Sequence, residues 1–230
     1  MLERLANCGL VKENIASILA SGYSWELVRG NTEPLRPASA SVLGILQGEF
    51  AEMICDTTGR SLLHAMVYAQ RHSDSVDFSN MYAVLLYLGG APVCTALLRV
   101  HGSEMAELPL VATPKAIQGL GHCTVLLQLL EGFLAGLGVS ALSLPATGSK
   151  LSLWTGKFGF TKMGQPALSL AKKVLNIFSF EASTVVSKKL LSQPGCPSQQ
   201  PARTSLSGVY GVRSLSIASL LPGHPPHSCS

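Results

Sequence analysis

Charge is scarce in this sequence: of 230 residues, 13% are Asp, Glu, Lys or Arg, and aromatic side chains make up only 6%. With 47% apolar residues and so little self-repulsion, the chain has enough material to bury a core, which excludes a wholly disordered polyelectrolyte. The formal net charge is +4, and no dense Lys/Arg block interleaves with aromatics, so a direct, sequence-specific nucleic-acid ligand is not indicated. Paired cysteines are missing as well. Cys8, Cys55, Cys94, Cys123, Cys196 and Cys229 are scattered without a CxxC motif, which argues against a zinc module or a disulfide framework and for reduced thiols inside a cell. His64, His72 and His101 have no spacing that suggests a metal, so none is expected. The N-terminal stretch carries Glu3, Lys12 and Glu13 among its apolar residues and lacks the basic, apolar, small-residue order of a signal peptide. The apolar run over residues 125–146 is broken by Gln128, Glu131, Gly132, Gly136 and Gly138, which predicts a helix followed by a strand and no membrane span.

The pattern divides the chain into three parts. Residues 1–38 read as a helical extension, reaching to about Arg29, and a linker with two prolines; residues 39–191 read as one domain; residues 192–230 are rich in Ser, Pro and Gly and are expected to be disordered. Within the domain a helix begins near Ser39. "MYAVLLYL" and "PVCTALLRVH" around Gly89 and Gly90 predict a β-hairpin, and "SEMAELPLVAT" a third strand. A helix is expected from about Gly121 to Leu137, "VSALSLPA" as a strand, "GSKLSLWTGK" as a short helix, "FGFTKM" as a strand, and "NIFSF" plus a helix through Leu191 at the end.

The stretch with chemical character is "ELPLVATPKAIQGLGHC". A turn of small residues at a helix start lets an anion approach unpaired backbone N–H groups, and Gly119 and Gly121 offer that access. Two other readings stand beside it. A dinucleotide-binding fingerprint would need a glycine where Thr124 stands, and the same glycines could simply cap a structural helix. Upstream, Glu107 lies among apolar neighbours on the presumed strand, with Met105, Pro109 and Val111 on its face and Leu108 and Leu110 on the other. A carboxylate so placed is either used as a proton acceptor or paired, for instance with Arg99 on the neighbouring strand. Pro109 has no N–H, so the strand must bulge or border a gap there. His122 and Cys123 point apart as helix neighbours, which argues against a nucleophile pair and leaves His122 as a polar helix-start residue and Cys123 as core packing.

These residues in this order resemble the GNAT superfamily of acyl-CoA N-acyltransferases, whose loop motif Gln/Arg-x-x-Gly-x-Gly/Ala fits Gln118 to Cys123 except for the final cysteine. "RVHGSEMAELPLVAT", "QGLGHCT" and "WTGKFGF" are similar to the C-terminal acetyltransferase-like module of plant and algal PHD-finger proteins of the Increased DNA Methylation 1 group. The resemblance spans roughly residues 23 to 191. It implies an α/β fold with a mixed, splayed β-sheet flanked by helices, and acetyl-CoA as acyl donor without a metal. In the superfamily's protein acetyltransferases a glutamate eleven residues before the loop is the base, and Glu107 holds that place before Gln118. The resemblance assigns cofactor contacts to Leu108, Leu110, Val111 and Ala112 on the strand and to Gln118, Gly119, Leu120, Gly121, His122 and Cys123 in the loop. It further implies lysines of histones or other nuclear proteins as acceptors, chromatin-associated partners, and a nuclear location. Two departures stand out. The arginines of the plant loop are replaced by Gln118, Gly119 and Thr124, and Thr155 occupies the position where many relatives place a tyrosine acid.

Overall fold

The computed structural model describes residues 17–29, 37–56, 58–73 and 76–190. The sequence expectations for residues 1–16 and for the tail lie outside them. The elements are β1 (Tyr23–Val28), α1 (Pro37–Glu49), α2 (Leu62–Val67), β2 (Met81–Leu88), β3 (Ala91–His101), β4 (Met105–Glu107) and β5 (Val111–Ala112). They continue with α3 (His122–Gly136), β6 (Ala141–Thr147), β7 (Thr161–Lys162), α4 (Gln165–Leu175) and β8 (Ser183–Lys189). One eight-stranded sheet runs in the order β1-β2-β3-β4-β6-β8-β7, with β5 paired to β3. Every pairing is antiparallel except β4 with β6.

The predicted hairpin is β2–β3. Gly89 and Gly90 both have positive φ, 57° and 82°, the backbone that a two-residue turn between right-twisted strands demands. β2 reads as continuous hydrophobics, not as an alternation, because both sheet faces are covered. On one face α3 packs Leu126, Leu129, Leu130 and Leu134 against Val84, Leu86, Leu98, Leu108, Leu142 and Leu144. On the other, Val42 and Leu46 of α1 and Leu62 and Met66 of α2 pack against Leu85, Leu97, Leu110 and Ala112. Leu130 is fully buried. Leu130→Ala should therefore cost about 2–5 kcal/mol in urea unfolding, the range for a buried leucine whose cavity cannot collapse.

Two sequence expectations are corrected. The helix expected to reach Arg29 ends early: residues 17–20 are helical, Gly22 turns at φ 82°, and Tyr23–Val28 form strand β1 on β2. The aromatics Tyr23 and Trp25 favour a pleated surface, and pairing with β2 supplies the backbone partners. The sheet thus begins before residue 39. At the other end, the helix lies at Gln165–Leu175, before "NIFSF", and Ser183–Lys189 is the strand β8, inserted between β6 and β7. The run of Thr184, Val185 and Val186 carries the β-branched side chains that suit that central place. The "FGFTKM" strand is cut to Thr161–Lys162, and "GSKLSLWTGK" forms irregular helical turns.

At the β1–β2 edge the Tyr87 hydroxyl donates to Glu26 Oε1. Burial, this hydrogen bond and the nearby carboxylate charge push the phenol from 10.0 up to about 12. A raised folded-state value stabilises fully below the unfolded value and is lost as pH rises through the folded one. We therefore expect a loss of stability between about pH 10 and 12 that Tyr87→Phe abolishes, read by denaturant melts across that window.

Candidate active site

The site is made by a strand that changes partners. Through Glu107, β4 runs beside β6, with Ala106 opposite Leu142, Glu107 opposite Ser143, and Leu108 N–H donating to Ser143 O at 2.8 Å. Pro109 then interrupts the ladder. Beyond it the chain holds only to β3: Leu97 N–H donates to Leu110 O at 2.9 Å, Val111 faces Ala96 and Ala112 faces Thr95. Residues 144–147 of β6 meanwhile pair with β8 on their other side. Between β5 and the end of β6 the sheet is therefore open, and the opening leads toward the loop after Ala112. The interruption also shifts side-chain parity. Leu108 and Leu110, expected on one face, lie in opposite cores, Leu108 under α3 and Leu110 with Ala112 under α1 and α2. Val111 is half-buried.

The glycine turn stands at that open end. Gly119 and Gly121 have φ of 84° and 92°, which side chains with a Cβ rarely adopt, and nothing lies within 4 Å of where a Cβ would project. Gly121 is the N-cap of α3 and has no side chain to satisfy the first amides, so the N–H groups of His122, Cys123 and Thr124 face outward without a helical partner; the first helical bond is Val125 N–H to Gly121 O. Leu120 between the glycines is 67% exposed. Gln118 does not point at the turn: its Nε2 donates to Glu49 Oε2 and to Thr113 O, both at 2.9 Å, while Glu49 Oε1 accepts from Lys115 N–H at 2.9 Å. Glu49, at the end of α1, was not singled out by the sequence; it braces the loop and puts an acid beside it. His122 is buried and its Nδ1 lies 3.0 Å from Tyr23 Oη. The half-buried Cys123 turns toward Cys94 of β3, and the hydrogen bond between the thiols, with burial, pushes the Cys123 thiol well up. Trp154 and Phe158 are core, as the pattern predicts.

Glu107 is 1% exposed and does make the Arg99 pairing that the sequence offers as its alternative. Arg99 Nε donates to its Oε1 at 2.6 Å, His101 Nε2 lies 2.9 Å from the same oxygen, and Phe178 N–H donates to Oε2 at 2.8 Å. Arg99 also donates to Asn176 O and stacks its guanidinium 4.4 Å from the Phe178 ring centre. The segment from Asn176 to Phe180 thus lies across the carboxylate. No local pattern announces that segment's position. His101 was not singled out as a partner of Glu107 either; the signal that could have found it is the period of two, because Arg99 and His101 share a face of β3 with Glu107 on the partner strand. Among the described residues no group of three or more His, Cys, Asp or Glu is placed to hold a metal, and no helix is long and apolar enough to cross a membrane.

A family model described as Increased DNA methylation 1, C-terminal domain, matches residues 50–189. The Arabidopsis thaliana protein Increased DNA methylation 1 is 30% identical over 152 residues, 66% of this chain and 13% of that protein, so the chain spans only a small part of the relative's length. Among solved structures, Tetrahymena GCN5 superposes with a TM-score of 0.57 over 74% of this chain and 97% of that one, at 12% identity, a likeness of fold. The strand order, the opening between β5 and β6 and the glycine turn at α3 are the GNAT fold, and the chain belongs to the family of the Increased DNA methylation 1 C-terminal domain.

Proposed function

We propose that this chain is an acetyl-CoA-dependent N-acetyltransferase acting on lysine amines of histones or other nuclear proteins, in the regulation of transcription. The observation that carries the reading is the sheet's opening beyond Pro109, which ends at the uncapped amides of α3. A pantetheine arm can lie between β5 and β6, where the backbone of Leu108, Leu110, Val111 and Ala112 lines one wall. The diphosphate then meets Gln118, Gly119, Leu120, Gly121, His122 and Cys123 through backbone N–H groups and the positive end of the helix. Holding thioester and amine together would supply most of the rate. Glu107 lies at the base of the opening and belongs to the acceptor side. No metal enters this chemistry. Histone tails and chromatin proteins as partners, and a nuclear location, follow from the chromatin relative and rest on that kinship.

A second reading has observations of its own: a weak enzyme serving as a chromatin interaction module. Both oxygens of the Glu107 carboxylate accept hydrogen bonds, Glu49 adds negative charge beside the loop, and Thr155 Oγ1 donates to Leu151 O at 3.0 Å and so offers no proton to a thiolate. The test is acetyl transfer to histone-tail peptides, followed by free-thiol release and by peptide mass. Transfer dependent on both substrates supports the enzyme; peptide binding without transfer supports the module.

A further inference from the structure

The donors around Glu107 constrain the tautomer of the histidine beside it. Oε1 receives Arg99 Nε at 2.6 Å and the second guanidinium nitrogen at 2.5 Å, together with His101 Nε2 at 2.9 Å; Oε2 receives Phe178 N–H at 2.8 Å. A carboxylate held by these donors, including a guanidinium, is ionised and only accepts, so the 2.9 Å contact requires a hydrogen on His101 Nε2. A neutral imidazole has one N–H. With that hydrogen on Nε2, the free lone pair is at Nδ1.

Among the described residues Nδ1 has no hydrogen-bond partner, and it is not one of the fully buried polar atoms left without one, which is Ser39 Oγ. The imidazole is 13% exposed, the carboxylate 1%. The arrangement therefore runs from a buried anion, through an imidazole whose tautomer it fixes, to a nitrogen that keeps a free lone pair among the described residues.

We propose that His101 Nδ1 takes the proton from the acceptor amine, directly or through one water, and that Glu107 is the positioning residue that sets its tautomer. This rests on the acetyl-transfer reading above and names the atom on which it turns. In the balanced step, an ammonium gives its first proton to Nδ1, and the neutral amine attacks the thioester carbonyl. The C–S bond then breaks, the amine's second proton passes to the departing thiolate to give CoA-SH, and the imidazolium releases its proton to solvent. The charged groups in contact with the ring's partners are Arg99 on β3 and Glu107 on β4, and Glu104 lies in the turn between these strands; the segment 176–180 brings no titratable side chain. The imidazolium forms beside a carboxylate that stabilises it.

The test compares the whole chain with His101→Gln, whose amide can still donate to Glu107 but has no basic nitrogen, and with Glu107→Gln. We measure acetyl-CoA affinity, and kcat for a histone-tail peptide from pH 5.5 to 9. In the wild type the rate should rise with pH as the acceptor nitrogen loses its proton. In His101→Gln acetyl-CoA affinity should be unchanged, kcat should fall by about 10²-fold or more, and the pH limb should vanish. Nitrogen-15 NMR of the wild-type ring gives a readout independent of activity: the Nε2–H tautomer is expected. An Nδ1–H tautomer overturns the proposal, as does a His101→Gln enzyme with wild-type kcat and pH profile. A wild type that binds acetyl-CoA, shows the Nε2–H tautomer and transfers nothing refutes the acetyl-transfer reading and with it the proton-acceptor role, leaving only the positioning of His101 by Glu107.

Discussion

Gly121→Glu should weaken acetyl-CoA binding by about 100-fold or more, close to 3 kcal/mol, in isothermal titration. Two effects add. Residue 121 has φ 92°, where a Cβ strains the backbone and will pull the turn away from the geometry that presents the amides of His122 and Cys123. The new carboxylate also points at the place a diphosphate must occupy, within the field of the helix N-terminus, and competes for the same donors. The space outside Gly121 is empty to 4 Å, so the side chain meets no clash, and urea unfolding should change only by the backbone strain, about 1–2 kcal/mol, less than the affinity. Gly121→Ala separates the two effects: it carries the strain without the charge and should lose a smaller part of the affinity. Equal binding by wild type and Gly121→Glu would remove the glycine turn from the cofactor site. Glu49→Gln offers the opposite sign. Removing an acid that lies beside the loop, while leaving an acceptor for Lys115 N–H, should tighten acetyl-CoA binding a few-fold, most visibly at low salt.

Glu107→Gln should be the most destabilising single-atom exchange near the site, by about 3–5 kcal/mol in urea unfolding. The reason is the company the carboxylate keeps. Arg99, 11% exposed, would lose its counter-charge while remaining under the segment 176–180, and the glutamine must present an amide hydrogen toward Arg99, His101 or Phe178 N–H, all of which are donors. Arg99→Gln should cost a similar amount, because it leaves the Glu107 carboxylate, only 1% exposed, without its counter-charge. The double variant should be more stable than the sum of the two losses predicts, since removing both charges leaves neither buried alone. An additive double mutant would mean that the two side chains do not act as a pair. Loss of acetyl transfer in Glu107→Gln is expected as well, but that loss follows from unseating His101 as much as from the missing charge, which is why the histidine variant and the ring tautomer carry the mechanistic test.

The central hairpin, the long apolar helix and the glycine turn were legible because each is a local matter. Gly89-Gly90 between β-favouring runs, an apolar stretch of helical length, and glycines before a helix start are signals contained within a few residues. Strand β1 was not legible: "ASILASGYSW" suits a helix by itself, and only β2 beside it converts Tyr23–Val28 into a strand. The same holds for β8, a short run whose place between β6 and β7 is set by partners far away in sequence. Pro109 announced an interruption, yet which strand would be left behind, and that Leu110 would cross to the other core, depended on β3 keeping its bonds where β6 does not.

By itself, then, the sequence determined the family, the hairpin, the helix that carries the glycine turn and the acid at position 107, since these follow from backbone freedom and side-chain periodicity over short distances. It offered two fates for that acid and could not choose. The tertiary structure supplies the pairing by bringing Arg99, His101 and the amide of Phe178, from β3 and from a segment some 70 residues further on, onto one buried carboxylate. A carboxylate's role depends on which donors occupy its lone pairs, and those donors are set by long-range packing that no local pattern records.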